Sequence, residues 1–211
     1  MKNPETLTTL GREAEAKFEE KKSVFLAHAC PVADETEAQD YIKRIKSEFP
    51  DARHNVWGYR MAGDVQVRCS DDGEPQGSAG VPTLDVLRKA GVCNAVIVTT
   101  RYFGGILLGA GGLVRAYSAA AKLAVETAGI VTYTRFTQLR LVCSYANYQR
   151  YLAELPKFGA LIDKTDFADR VTLIFALPAD AVDPASGRIS EMSNGADRPE
   201  PIGFRFACKG N

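Results

Sequence analysis

Arg101-Tyr102-Phe103-Gly104-Gly105-Ile106-Leu107-Leu108-Gly109-Ala110-Gly111-Gly112 follows an apolar strand and, further upstream, the acidic turn Ser70-Asp71-Asp72-Gly73-Glu74-Pro75. Five of the nine positions from Gly104 to Gly112 are glycine, more than an ordinary connection needs. Glycine is required where φ is positive or where a backbone or ligand comes too close for a Cβ, so this segment predicts a shaped surface and the seat of function. The run Ala95-Val96-Ile97-Val98-Thr99-Thr100 ahead of it reads as a buried strand, and small residues over 113–127 read as the helix that follows.

Working outward, residues 55–61 and 65–69 read as a hairpin joined by Ala62-Gly63-Asp64. A short helix is expected from Pro82, a good first-turn residue, to Gly91. Towards the N-terminus, two short strands around Lys17 and Phe25 flank the charged Glu19-Glu20-Lys21-Lys22. Asp34 with Glu37 forms a capping signature, and Ala38, Tyr41, Ile42, Ile45 and Phe49 mark one helix face ending at Pro50. After Gly129 the pattern changes to strand 136–143, helix 146–158, strands 160–167 and 170–177, a weak helix interrupted by Pro184 and Gly187, and strand 203–207. That is the βαββαβ order of a ferredoxin-like domain. The fold class expected is α+β in two domains, 1–133 and 134–211.

The 211 residues carry 26 basic and 26 acidic side chains. With no net charge there is no long-range attraction to phosphate, so any nucleic-acid contact has to come from a local patch. Five scattered cysteines without a Cys-x-x-Cys spacing read as reduced thiols, and no apolar run is long enough to span a bilayer, so the chain reads as soluble and cytoplasmic with no membrane partner.

Two readings of the glycine segment stand side by side. Its amides at Gly109 to Leu113 would form an anion site at a helix N-terminus, with Arg101 and Arg115 adding charge, or the glycines would serve close packing. The dinucleotide fingerprint fails because position 114 is Val, and no P-loop lysine follows. Asp71, Asp72 and Glu74 read either as hard oxygen ligands or as a turn whose carboxylates accept backbone N–H groups. His54 reads as a general base, as part of a stacking platform, or as a structural histidine. Ser78, His54 and Asp72 make a triad only on paper, since Gln76-Gly77-Ser78-Ala79-Gly80 lacks the first glycine of a nucleophile elbow. In the second domain, Arg135, Arg140, Arg150 and Lys157 suggest a basic face.

Asp51-Ala52-Arg53-His54-Asn55, the acidic turn with Gly77 and Ala79-Gly80, and Thr100-Arg101-Tyr102-Phe103-Gly104-Gly105 with Leu108 to Tyr117 together resemble the signature of the IMPACT (YigZ-like) family. Lys21-Lys22-Ser23 and Phe25 resemble that family's opening. The resemblance implies a first domain like the second domain of ribosomal protein S-five and a second like the last domain of elongation factor G. Eukaryotic relatives regulate translation by competing for the activator of a kinase that phosphorylates an initiation factor. Bacteria lack that kinase, so the family alone does not fix the task of a two-domain chain.

The expectation is therefore a non-enzymatic binding protein linked to translation, without a cofactor or metal. It would contact RNA, the ribosome or a translation-regulatory protein, with no signal for DNA. Its site would be Arg53, His54, Asp71, Asp72, Glu74, Arg101, Tyr102, Gly104, Gly105, Gly109, Gly111, Gly112 and Arg115. The alternative is a hydrolase or transferase acting on a small phosphorylated substrate.

Overall fold

A computed structural model describes residues 5–64 and 66–207. In chain order the elements are β1 (Thr6–Leu10), β2 (Ala14–Glu20), β3 (Ser23–Pro31), α1 (Glu35–Glu48), β4 (His54–Arg60), β5 (Val67–Ser70), α2 (Gly80–Lys89), β6 (Ala95–Tyr102) and α3 (Gly109–Ala128). They continue with β7 (Ile130–Cys143), α4 (Tyr145–Glu154), β8 (Leu161–Phe167), β9 (Val171–Pro178), α5 (Val182–Met192) and β10 (Glu200–Ala207).

The first sheet is antiparallel in the order β2-β3-β6-β4-β5. Its central strand β6 is buried from Ala95 through Arg101 because both faces are covered. Successive side chains on a strand point to opposite faces. Ala95 and Ile97 join Phe25, Ala27, Ala29 and Val56 against α2 and α3, whereas Val96 and Val98 join Tyr41, Ile42 and Ile45 of α1. On α3 the buried face is Ala116, Tyr117, Ala120, Ala121 and Ala124, mostly small side chains that let the helix lie close to the sheet.

Local chemistry starts these elements where the sequence suggests, with informative differences. The Asp34 carboxylate accepts the Glu37 N–H at 2.9 Å, which satisfies an orphan donor of α1, and Glu37 accepts the N–H of Ala33, the residue ahead of the cap, at 2.8 Å. α2 begins at Gly80, not Pro82, and α3 begins at Gly109, so Gly109, Gly111 and Gly112 form its first turn. Packing of Leu113, Ala116 and Tyr117 holds that turn helical despite the poor helix propensity of glycine. α5 runs unbroken through Gly187 because Pro184 lies in its first turn, where a missing N–H costs nothing. Val65 of the expected second hairpin strand lies outside the described residues, as does Cys208.

The second sheet places β10, β7, β9 and β8 side by side, all antiparallel, with β1 also beside β7. With α4 following β7 and α5 following β9, this is the ferredoxin-like arrangement. Leu139, Leu141 and Cys143 of β7 and Leu173, Phe175 and Leu177 of β9 pack against Tyr151, Leu155, Ala185 and Ile189 of the helical layer. By contact, one compact unit is Thr8–Thr132, and the other runs from Tyr133 with the described residues ahead of Thr8.

The β2–β3 hairpin pairs Glu20 with Ser23, leaving Lys21 and Lys22 as a two-residue turn with φ of 44° and 65°. Both residues occupy the left-handed region that favours Asn and Gly. Replacing the pair by Lys21→Asn with Lys22→Gly is expected to raise the unfolding free energy by about 1 kcal/mol, measured by urea titration. An unchanged or lowered value would show that the lysine side chains stabilise this turn.

Candidate functional site

The acidic turn is organised from within. Asp71 accepts N–H bonds from Gly77 at 2.8 Å, Ala79 at 3.0 Å and Gly80 at 2.8 Å, so its carboxylate caps the start of α2 across the turn. Burial opposes ionisation of Asp71, but the three backbone donors outweigh it and hold the carboxyl below the usual aspartate range. Asp72, at φ 45°, accepts the Asn55 N–H at 2.7 Å and an ion-paired hydrogen bond from Lys46 Nζ at 2.6 Å. His54 Nδ1 donates to the Asp72 carbonyl at 2.9 Å, and Ser78 Oγ donates to the Pro75 carbonyl at 2.6 Å. Ser78, His54 and Asp72 are thus each fixed to other groups, and the paper triad is not assembled.

Glu74 is the buried member of the turn. Its Oε1 accepts from Arg101 Nη1 at 2.7 Å and from the Tyr117 hydroxyl at 2.8 Å, which joins the turn to β6 and α3. Burial, and then the Glu74 charge beside it, push the Tyr117 hydroxyl well above the ordinary tyrosine range. Arg101 is only 7% exposed and lies 5.5 Å from the Phe25 ring centroid and 5.6 Å from that of Phe103. Its Nη2 reaches Ser23 Oγ at 3.4 Å, and the same oxygen accepts the Gly104 N–H at 3.2 Å. A Cβ at Gly104 would stand 2.0 Å from the Lys22 carbonyl carbon, so glycine is obligatory there.

Past Gly104 the character reverses. Phe103, Ile106 and Leu107 are exposed, Leu107 by 83%, and Val114 and Arg115 face solvent on the first turns of α3. No side chain caps α3, and its first turn carries no acid, so the amides beginning with Gly109 are orphan donors with the positive end of the helix dipole behind them. Gly105 and Gly109 have φ of 83° and 68°. Beside this stretch, Asp51, Arg53, Arg101, Tyr102 and Phe103 line a hollow of about 230 Å³, where the Tyr102 hydroxyl donates to Asp51 at 2.9 Å. The Nε of Arg101 is buried without a hydrogen-bond partner among the described residues.

Residues 21–125 match the model of the Impact N-terminal domain, which spans every candidate site residue, and residues 141–196 match a domain of unknown function, DUF1949. The Bacillus subtilis IMPACT family member YvyE is 33% identical over 83% of this chain and 81% of its own. The Escherichia coli member YigZ is 35% identical over 83% of this chain and 88% of its own. The chain belongs to the IMPACT family. Human Protein IMPACT is 32% identical over 43% of this chain and 29% of its own length. A solved structure described as that of an hypothetical protein aligns over 95% of this chain and 98% of its own, with TM-score 0.65 and 32% identity.

On this IMPACT chain the expected site residues divide into two sets. Asp71, Asp72, Glu74, Arg101 and Gly104 are tied together inside the fold. Arg53, Tyr102, Gly105, Gly109, Gly111, Gly112 and Arg115 line the outer surface or its edge, with His54 half-buried between the sets. Sequence reasoning missed Ser23, Lys46 and Tyr117 as partners of the motif. Ser23 and Tyr117 lie inside the family-like stretches and are open to being found from them; nothing local singles out Lys46.

Two stability measurements follow. Gly104→Ala is expected to cost at least about 3 kcal/mol through overpacking. Gly111→Ala, whose Cβ would meet only Arg115 Nη1 at 3.9 Å, is expected to stabilise the helix by up to about 1 kcal/mol. Equal effects of the two substitutions, by chemical denaturation, would refute this division of the glycines. Asp71→Asn is expected to cost about 1–2 kcal/mol at neutral pH. Because the folded pKa is depressed, the wild-type advantage is full above the unfolded value of 3.8 and fades as the pH falls through the lower folded value. A gap that widens with acid would contradict this assignment.

Proposed function

We propose that the chain is a non-enzymatic binding protein linked to translation, and that its outward glycine-rich surface contacts RNA or a ribosome-associated partner. The observation that carries this reading is the split in the motif. Its carboxylates are committed to separate internal partners: three amides for Asp71, Lys46 and Asn55 for Asp72, and Arg101 and Tyr117 for Glu74. What faces outward is uncapped amides, an exposed aromatic ring at Phe103, apolar Ile106 and Leu107, and the arginines 53 and 115. Amides and arginines suit phosphate, and an exposed ring suits a stacked base, so the combination fits a polyanion carrying planar groups. The link to translation rests on what the family resemblance implies.

A second reading, a hydrolase or transferase acting on a small phosphorylated molecule, draws on the hollow beside Arg53 and the unpartnered Arg101 Nε. Co-sedimentation with ribosomes and with free structured RNA across a salt series separates the two. Binding to one of these is expected to weaken with salt. Arg53→Ala with Arg115→Ala is expected to flatten the log–log slope by roughly 1.5, about one counterion for each phosphate left unneutralised. No binding at any salt, or a slope unchanged in the double variant, would overturn the RNA and ribosome reading.

A further inference from the structure

The second unit carries a cluster whose members are far apart in sequence. Arg140 on β7, Arg170 in the turn between β8 and β9, and Arg198 just ahead of β10 line one cavity of about 350 Å³, with the Gly195-Ala196 backbone and Glu200 completing its wall. These arginines lie 30 and 28 residues apart along the chain, from 140 to 170 to 198, and only the βαββαβ winding gathers them. Of the basic face expected from sequence, only Arg140 belongs here. Arg150 is bonded to Asn147 and the Met192 carbonyl, Lys157 pairs with Glu154, and Arg135 lies over the Phe204 ring.

One of the three guanidiniums is held rigidly. Arg170 Nη2 donates to the Val142 carbonyl at 3.0 Å and to Asp197 Oδ1 at 3.1 Å. Asp197, 3% exposed, is fixed in turn by the Tyr151 hydroxyl and Asn147 Nδ2, both at 2.9 Å from Oδ2. Burial, followed by the hydrogen bond to Asp197, pushes Tyr151 up to about 12, so it stays a donor at neutral pH. The side chains of Arg140 and Arg198 have no hydrogen bond or ion pair among the described residues. Asp197 and Glu200 balance two of the three positive charges, which leaves the cavity net cationic with two guanidinium forks unused.

We propose that this cavity is a binding site for a phosphate-type oxyanion. Guanidinium forks match such anions in charge and geometry, and a tetrahedral group offers enough acceptor oxygens to engage three arginines at once, where a carboxylate offers two. The site lies wholly within the second unit and is independent of the glycine-rich surface of Thr8–Thr132.

The test is calorimetric titration of the full chain with inorganic phosphate at low ionic strength, against Arg140→Ala with Arg198→Ala and against Glu200→Gln. Arg170 is left in place because Asp197 depends on it. Saturable binding at one site is expected, weakened about tenfold for each guanidinium removed and strengthened in Glu200→Gln. A second arm adds a short oligoribonucleotide lacking terminal phosphate. If it displaces phosphate, the anion is supplied by a nucleic-acid backbone; if it does not, a small phosphorylated molecule is the source, and either result supports an oxyanion site. Absence of saturable phosphate binding, or equal affinity in the wild type and the double arginine variant, overturns the proposal.

Discussion

The Glu74 carboxylate is the junction on which the first unit depends. It holds the Arg101 guanidinium of β6 and the Tyr117 hydroxyl of α3 on one oxygen, with the two charged side chains 4% and 8% exposed. Breaking a buried pair by removing one partner leaves an uncompensated charge, generally at a cost of about 3–5 kcal/mol. That penalty fixes the acidic turn, the end of the central strand and the long helix relative to one another. It also fixes the path of the chain between Arg101 and Tyr117, so the outward face of the glycine segment is presented by a rigid frame.

Around that junction the two halves of the motif have different physical tasks. The turn gives its carboxylates to backbone amides and to Lys46, and Gly104 lets the chain pass against the Lys22 backbone. The following residues are shaped by positive φ at Gly105 and Gly109 and end in a helix start with no side-chain cap. Gly109, Ala110 and Gly111 at that helix start are exposed, so their amides are open to water and to the acceptor groups of a partner alike.

Much of the architecture is legible in the sequence because its signals are local. The apolar run of β6, the Asp34–Glu37 capping pair and the βαββαβ alternation each depend on neighbours in sequence. The helix starts read late because their cause is distant or collective. Asp71 satisfies amides eight and nine residues on, and α3 winds from Gly109 because Leu113 and Tyr117 are anchored in the core. The site is half legible for the same reason. Glycines and acids mark the region, but which of them face inward is decided by pairing of β3, β4 and β6, and by a lysine on α1 that no motif includes. The Arg140, Arg170 and Arg198 cavity is out of reach, because its members meet only after the second sheet is assembled.

The most direct test of the outward surface is amide hydrogen exchange across the chain, with and without ribosomes or structured RNA. In the free protein the amides of Gly109 to Gly111 are expected to exchange fast and those of Ala79 and Gly80, bonded to Asp71, slowly. On adding the partner, protection is expected to appear at residues 102–115 while the acidic turn stays unchanged. New protection confined to the acidic turn, or none within residues 102–115, would contradict the assignment of the glycine-rich face as the contact surface.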